Sequence, residues 1–197
     1  ASLQAVSTAR RLADATGDPV VALAFGSSAA SSADLAGAHG ADRLLAVDDA
    51  TLDLYAPEIY AATLANAAEE SAADTILAAA TSLGRDVSAR TCARLGTGLL
   101  SDVIASERAA GGALRGKRPV YSGKAYAWAA VPDARPSMAT LRPNVFAAVS
   151  AGSRKAEVVP FSPAPVSARA RVTRLEKPPA TEQDVAEASI VVSGGRG

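Results

Sequence analysis

The stretch that decides the fold is "TILAAATSLGRDVSARTCARLGTGLLSDVIA", residues 75–105. It opens with an apolar run of strand length, 75–80, and it closes with a second such run, 99–105. Between them we predict a helix over 86–95, which ends at Gly96, because glycine commonly follows the last turn of a helix. A strand, a helix and a strand in this order are typical of a parallel sheet covered by helices.

The same alternation continues upstream of this unit. We predict helices over 2–16, 31–38 and 57–71, and strands over 19–25 and 43–47. The first of these strands is continuously apolar, as expected of a strand buried on both faces. Because the series starts with a helix, and a crossover helix has a strand on each side, we expect one further strand upstream of Ala1.

After residue 106 the sequence changes character, with short apolar runs separated by Gly, Pro and Asn. We interpret these runs as antiparallel strands, over 120–121, 125–130, 138–141, 147–149, 155–159 and 168–175. The predicted fold class is therefore α/β: a mostly parallel sheet with helices on both faces, plus antiparallel strands in the C-terminal third. We expect a domain over 1–175 and a polar, proline-broken linker over 176–188.

Composition excludes several classes of function. Twenty basic residues balance twenty acidic ones, so no overall field attracts nucleic acid or anionic lipid. The single Cys92 forms no internal disulfide, and with the single His39 it makes no ordinary zinc site. No apolar run approaches the roughly 20 residues that span a bilayer, and we expect neither a signal peptide nor direct membrane insertion.

The turn and helix after the 75–80 run carry the strongest candidate site. Turns that follow parallel strands are where open α/β sheets usually bind ligands. Gly84 permits a tight turn, Asp86 is placed to cap the helix, and Asp86 can pair with Arg90 four residues later. With Arg94 one turn further on, these residues predict either a polar docking face near a nucleotide crevice or simply a capped helix with a solvated charged edge.

Other polar residues have simpler interpretations. Arg118, Lys124 and Arg142 lie near predicted strand ends, where they bind phosphate or, more commonly, point to solvent or a neighbouring chain. His39 precedes Gly40 after a short helix and is expected to cap it. Cys92 lies in mid-helix and is expected to be a buried structural thiol. No catalytic Ser–His–acid set can be completed without His39.

The sequence closes with "SIVVSGGRG", a short apolar run followed by a glycine-rich turn. A strand and a turn of this kind usually begin an α/β nucleotide-binding unit. The closing residues resemble a phosphate loop of the SGGxDS type, but Arg196 and Gly197 stand where Asp and Ser are expected, so we reject that interpretation.

Four segments together resemble the α subunit of electron transfer flavoprotein. They are "TSLGRDVSARTCARLGTGLLSDV" (81–103), "RPVYSGKAYA" (118–127), "TLRPNVF" (140–146) and "ASIVVSGGRG" (188–197). Each is a modest signal alone, but their order and spacing are specific, and the resemblance covers nearly the whole chain. It implies an adenine nucleotide alpha hydrolase-like fold for this domain.

The resemblance also implies a second domain, which holds FAD and begins with the first strand and turn at 189–197. The resemblance further implies that this chain lacks the remainder of that domain and the first strand of the N-terminal domain, so we expect FAD in the full-length protein but not here. Ser193, Gly194, Gly195, Arg196 and Gly197 are the only candidates for flavin contact.

The implied function is electron transport. The resemblance implies a heterodimer with a β subunit that carries AMP, electrons donated by flavin dehydrogenases, and a quinone reductase or another protein as acceptor. On this view the chain is scaffold, not an enzyme in its own right, and it resides in the bacterial cytoplasm or, second, the mitochondrial matrix. The alternative is a stand-alone adenine-nucleotide-binding domain with Gly84, Arg85 and Asp86 at the phosphate.

Aromatic residues suggest where the β subunit docks. The 118–146 region holds Tyr121, Tyr126, Trp128 and Phe146, accompanied by Arg118, Arg142 and Asn144. Aromatic and Arg side chains concentrate in interface cores. We expect this region to supply much of the subunit interface; the alternative is that its aromatics cover one end of the domain's own sheet.

Overall fold

The computed structural model describes residues 1–109, 112–150, 152–176, 188 and 190–195. The helices are α1 (Ser2–Ala13), α2 (Ala33–Ala38), α3 (Pro57–Glu70) and α4 (Ser82–Leu95). The strands are β1 (Val21–Phe25), β2 (Arg43–Val47), β3 (Thr75–Ala79), β4 (Leu99–Val103), β5 (Ala105–Arg108), β6 (Leu114–Val120), β7 (Ala125–Ala130), β8 (Ser137–Leu141) and β9 (Glu157–Pro160). None of the helices in this described part has the length and hydropathy needed to cross a membrane.

The parallel strands form two sheets of three. One has the order β1-β2-β9 and the other the order β3-β8-β4, and every pairing within them is parallel. Within the described ranges β1 and β3 do not pair with each other. The strand expected upstream of Ala1 stays a prediction.

Helices cover both faces of these sheets, as predicted. On β3, Leu77 packs in a cluster with Ala5 and Leu12 of α1, whereas its neighbour Ile76 packs with Ala68 of α3 and Cys92 of α4. Successive residues of a strand point to opposite faces, so α1 lies on one face and α3 and α4 on the other. Helix α1 also packs against the first sheet, through Val6, Ala9 and Ala13.

Two of the strands predicted to be antiparallel are parallel. Strand β8 lies in the centre of its sheet with all five residues buried, and β9 extends the first sheet beside β2. The prediction was wrong because it followed the Gly- and Pro-rich spacers; full burial on both faces is the mark of a parallel strand. Residues 147–149 and 168–175 form no strand.

Within the residues that the structure describes, antiparallel pairing is confined to the third sheet, of order β5-β6-β7. We call residues 114–130, which comprise β6, the turn and β7, the ribbon. Its inner face packs on the domain: Leu114 is buried, and a Cβ added at Gly116 would lie 2.7 Å from a methyl group of Val103. The ribbon is thereby fixed to the end of β4.

After β9 the chain runs without regular secondary structure through residues 161–176. Its first part is bound to the domain. The Phe161 amide donates to the carbonyl of Ala46, and the buried Ala164 amide donates to Oγ1 of Thr63 at 2.8 Å. Residues 177–187 of the predicted linker lie outside the described residues.

Candidate functional site

The entry to α4 is built by a threonine cap and a close backbone contact. Thr81 is the N-cap, and its hydroxyl accepts a hydrogen bond from the Gly84 amide at 3.1 Å. A Cβ added at Gly84 would lie 1.9 Å from the Ala79 carbonyl oxygen, so only glycine lets the helix pack this closely on β3. The helix begins four residues before the predicted start, and the expectation that Asp86 caps it was wrong, because Thr81 already holds that position.

Asp86 instead links α4 to the segment before α3. Its carboxylate accepts hydrogen bonds from the Tyr55 hydroxyl at 2.7 Å and from Nε of Arg90 at 2.8 Å, which confirms the expected pair with Arg90. Hydrogen bonds from Arg90 and then from Tyr55 lower the pKa of Asp86, while burial and the Asp86 carboxylate raise the pKa of Tyr55. Asp86 is therefore already bound on two sides by protein groups.

A second polar cluster lies where β4 and β8 end. Asp102 accepts hydrogen bonds from two guanidinium nitrogens of Arg142, and Arg85 approaches the same carboxylate to 3.8 Å. The Arg142 hydrogen bonds are the main reason that the pKa of Asp102 is lowered. The cluster adjoins a cavity of about 290 Å³, whose lining includes Arg85, Asp102, Ser101 and Thr140.

Asp102 has an unusual backbone conformation. Its φ is 58°, which is rare outside glycine although aspartate tolerates it better than most residues, and its amide donates to Oγ1 of Thr140 at 3.0 Å. Asp102 is not among the site residues predicted from the sequence. The available signal was the single charged residue of a strand whose other members are Leu, Ser and Val.

The basic residues predicted near strand ends do not converge on one site. Arg142 joins the Asp102 cluster, whereas Lys124 is exposed in the turn of the ribbon. Arg118 lies on β6, where its positive charge also acts on Asp102, and its Nε is buried without a hydrogen-bond partner in the described structure. Arg94 is exposed and lines a separate cavity of about 270 Å³ with Glu58 and Arg90.

The outer face of the ribbon is aromatic and basic. Trp128 is 43% exposed and Tyr126 59%, and Tyr121, in the turn between the two strands, is 81% exposed. The guanidinium of Arg115 lies 5.1 Å from the centre of the Trp128 ring, and the ammonium of Lys117 lies 4.8 Å from that of Tyr126. Both distances fit cation–π contact. Phe146 differs from these residues, because it packs against the core cluster of Leu100 and Leu141.

The residues given structural interpretations occupy the predicted positions. His39 is the C-cap of α2, and its Nδ1 lies 2.9 Å from the Leu35 carbonyl. Cys92 is buried, its Sγ lies 2.6 Å from the Thr97 carbonyl, and burial raises the pKa of the thiol. Among the residues described, no three His, Cys, Asp or Glu side chains come together as metal ligands.

The closing residues make no cradle for a flavin in the described part of the chain. Ile190–Gly195 is exposed and has no regular secondary structure, and a Cβ added at Gly194 or Gly195 would meet nothing within 4 Å. Arg196 and Gly197 lie outside the described residues, as does Ser189. That Ser193–Gly197 contacts FAD, and that 189–197 begins a second domain, therefore stay predictions.

Comparison with known proteins places the whole chain. A family model described as "Electron transfer flavoprotein domain" matches residues 1–166. Protein FixB of Clostridium saccharobutylicum is 36% identical over 199 residues, which cover 100% of this chain and 59% of that protein. The electron transfer flavoprotein subunit alpha of Thermoanaerobacterium thermosaccharolyticum is 34% identical over 201 residues, with 100% and 60% coverage.

A third relative, the subunit LctC of a lactate dehydrogenase (NAD(+),ferredoxin) from Acetobacterium woodii, is 30% identical over 100% of this chain and 47% of its own length. The chain thus spans about 60% or less of these relatives. The four motifs that carried the resemblance lie within the regions aligned with the first two relatives. The family match ends at residue 166, so it covers the α/β domain and includes Ala164, whose amide binds Thr63. This chain belongs to the electron transfer flavoprotein domain family.

Proposed function

We propose that this chain is the N-terminal part of the α subunit of a heterodimeric electron transfer flavoprotein. The complete protein carries electrons from flavin dehydrogenases to a quinone reductase or another acceptor, with FAD in the α subunit and AMP in the β subunit. It is an electron carrier and not an enzyme in its own right. The observation that carries this proposal is the alignment of 100% of the chain with an electron transfer flavoprotein α subunit at 34% identity.

Within that assembly we assign this domain the role of scaffold and docking platform for the β subunit. Two features support the assignment. The conspicuous polar groups, Asp86 and Asp102, are tied to neighbouring side chains and are not free to act on a substrate. The ribbon, in contrast, presents large aromatic side chains to solvent, which is the composition of an interface.

The alternative is a stand-alone adenine-nucleotide-binding domain with Gly84, Arg85 and Asp86 at the phosphate. In the structure these three residues interact with other protein groups. The Gly84 amide already donates a hydrogen bond to the Thr81 hydroxyl at 3.1 Å, and the Ala79 carbonyl fills the position of a Gly84 Cβ. Asp86 is occupied by Tyr55 and Arg90, and Arg85 points its charge at Asp102. No feature of the described residues favours this alternative over the carrier.

The proposal is tested by producing the natural gene product together with its β subunit. We expect the two to co-purify with stoichiometric FAD, whose absorbance bleaches under anaerobic conditions when a reduced flavin dehydrogenase is added. A β subunit that does not associate, or a complex whose FAD is never reduced by any dehydrogenase of the same cell, contradicts the proposed function.

A further inference from the structure

The ribbon carries a concentrated positive charge in a chain that is neutral overall. Residues 114–130 read "LRGKRPVYSGKAYAWAA", with basic residues at Arg115, Lys117, Arg118 and Lys124 and no Asp or Glu, whereas the formal net charge of the chain is +0. Arg115 is paired with Glu107 of β5 at 3.1 Å. Lys117 and Lys124 have no carboxylate within 4.0 Å among the described residues.

The pleat sorts the ribbon into two faces with different chemistry. Leu114 and Gly116 face the core, and on β7 Ala129 packs against the same core cluster. Because alternate residues point to opposite faces, Arg115 and Lys117 share the outer face with Tyr126 and Trp128. Each cation lies over an aromatic ring of the neighbouring strand, so the outer face presents two aromatic rings, each with a positive charge beside it.

The edge of the ribbon is unprotected as well. Strand β7 is last in its sheet, and no described strand pairs with its outer side. Its sequence, "AYAWAA", has six residues without a charge or a proline, and its register with β6 is continuous. Proteins usually guard a free edge with charges, proline, a bulge or shortness. The opposite edge strand, β5, follows that rule, since it has four residues and includes Glu107 and Arg108.

We propose that the outer face and free edge of the ribbon dock a strand of a partner protein whose side chains on the ribbon side are acidic. Backbone hydrogen bonds along β7 would orient the partner strand, and the aromatic rings would provide apolar area that is buried on binding. Acidic side chains of the partner would form ion pairs with Lys117 and Lys124. Placing this strand on the β subunit rests on the proposed function; the chemistry of the partner follows from the ribbon alone.

Calorimetric titration of the chain with its β subunit tests the proposal. We expect Trp128→Ala to raise the dissociation constant about 30-fold or more, as for an aromatic hot spot, and Trp128→Phe to retain most of the affinity. Lys117→Glu should raise the dissociation constant about tenfold at low salt and flatten the dependence of affinity on salt. Lys155→Glu is the matched control, because it reverses the charge of an exposed lysine that precedes β9 of the first sheet, and it should change neither quantity.

Amide hydrogen exchange gives a second measurement that does not depend on any variant. Every second amide of an edge strand faces away from its partner, so about half of the β7 amides should exchange rapidly in the free chain. We expect these amides to become protected when the β subunit binds. Melting curves of each variant establish that it is folded before its affinity is compared.

The outcomes separate the two proposals. Normal binding by Trp128→Ala and Lys117→Glu, without protection of β7, overturns the docking surface and leaves the proposed heterodimer intact. A wild-type chain that does not bind the β subunit at all contradicts the proposed function and, with it, the assignment of the docked strand to that subunit.

Discussion

Arg142 binds both carboxylate oxygens of Asp102, with its Nε 3.1 Å from Oδ1, although 40 positions separate the two residues in the chain. The pair connects the end of β8 to the end of β4, two strands that already lie side by side. Because Asp102 also holds a strained φ, the guanidinium fixes a conformation that the backbone alone disfavours.

We predict that Arg142→Gln lowers the free energy of unfolding by about 1 kcal/mol at neutral pH, the lower end for a charged hydrogen bond, because the Arg142 side chain is 41% exposed. The folded state lowers the Asp102 pKa, so this stabilisation is present above the ordinary value of 3.8 and is lost as pH falls through the folded pKa. Urea unfolding of the wild type and the variant at neutral pH and in acid measures this pH-dependent stabilisation. Equal destabilisation by the variant in acid and at neutral pH would contradict the assignment to this ion pair.

The cap of α4 gives a second prediction. Thr81→Ala should cost about 0.5–2 kcal/mol, since it removes the acceptor of the Gly84 amide, and Thr81→Ser should restore most of the loss. Asp86→Ala should also destabilise the domain, but through Tyr55 and Arg90. In a Tyr55→Phe background the cost of Asp86→Ala should shrink, while that of Thr81→Ala should not. Chemical unfolding of the six proteins in this cycle decides between the two roles.

The sequence predicted the alternating part of the fold well, because periodicity and glycine positions report local structure. The span of β2 matches its prediction at both ends, and α3 differs by one residue. The prediction from sequence failed where strands pair with partners that are distant in the chain. The residues of the 138–141 run do not indicate that it pairs on one side with β3, 62 residues upstream, and on the other with β4, 38 to 39 residues upstream. Its parallel, central position was therefore not predictable from its own residues.

The candidate site was predicted in part, for a related reason. The pair of Asp86 and Arg90 is a local relation at four-residue spacing, and it was found. The cluster of Asp102 with Arg142 and Arg85 depends on the folded sheet bringing three separate segments together, and Asp102 was missed. The aromatic residues were predicted as a group, but only the folded structure shows that Trp128 faces solvent while Phe146 packs inward.

Close contact at Gly84 gives a third prediction. In Gly84→Ala the new Cβ would meet the Ala79 carbonyl at 1.9 Å, so α4 must move away from β3. We expect a loss of about 1–3 kcal/mol in unfolding free energy, the usual cost of overpacking. Gly194→Ala is the control, because a Cβ there meets nothing within 4 Å. Thermal or urea unfolding that leaves Gly84→Ala as stable as Gly194→Ala would show that the contact is looser than the distance implies.

A fourth prediction concerns the flavin. Exposed residues around Gly194 and Gly195 cannot enclose an isoalloxazine ring, so the 197-residue chain should bind no FAD with useful affinity. Purified protein should be colourless, and added FAD should keep the fluorescence of the free cofactor. A stoichiometric yellow chromophore that survives desalting would mean that residues of this domain hold flavin on their own.

The segment that leaves the domain gives the last prediction. Thr63 is fully buried on α3, and its hydroxyl accepts the hydrogen bond of the Ala164 amide at 2.8 Å, which holds the chain against the helix three residues after Phe161. In Thr63→Val the shape is nearly kept but the buried amide loses its acceptor, so we expect the domain to lose about 1–3 kcal/mol of stability. Amide exchange at Ala164 should accelerate by more than that of the β2 core, because the segment can detach without the sheet unfolding. Thr63→Ser keeps the hydroxyl and should restore slow exchange. If exchange at Ala164 and in β2 rises equally in Thr63→Val, the segment is part of the cooperative core, and any tether to a following domain starts beyond it instead of at this hydrogen bond.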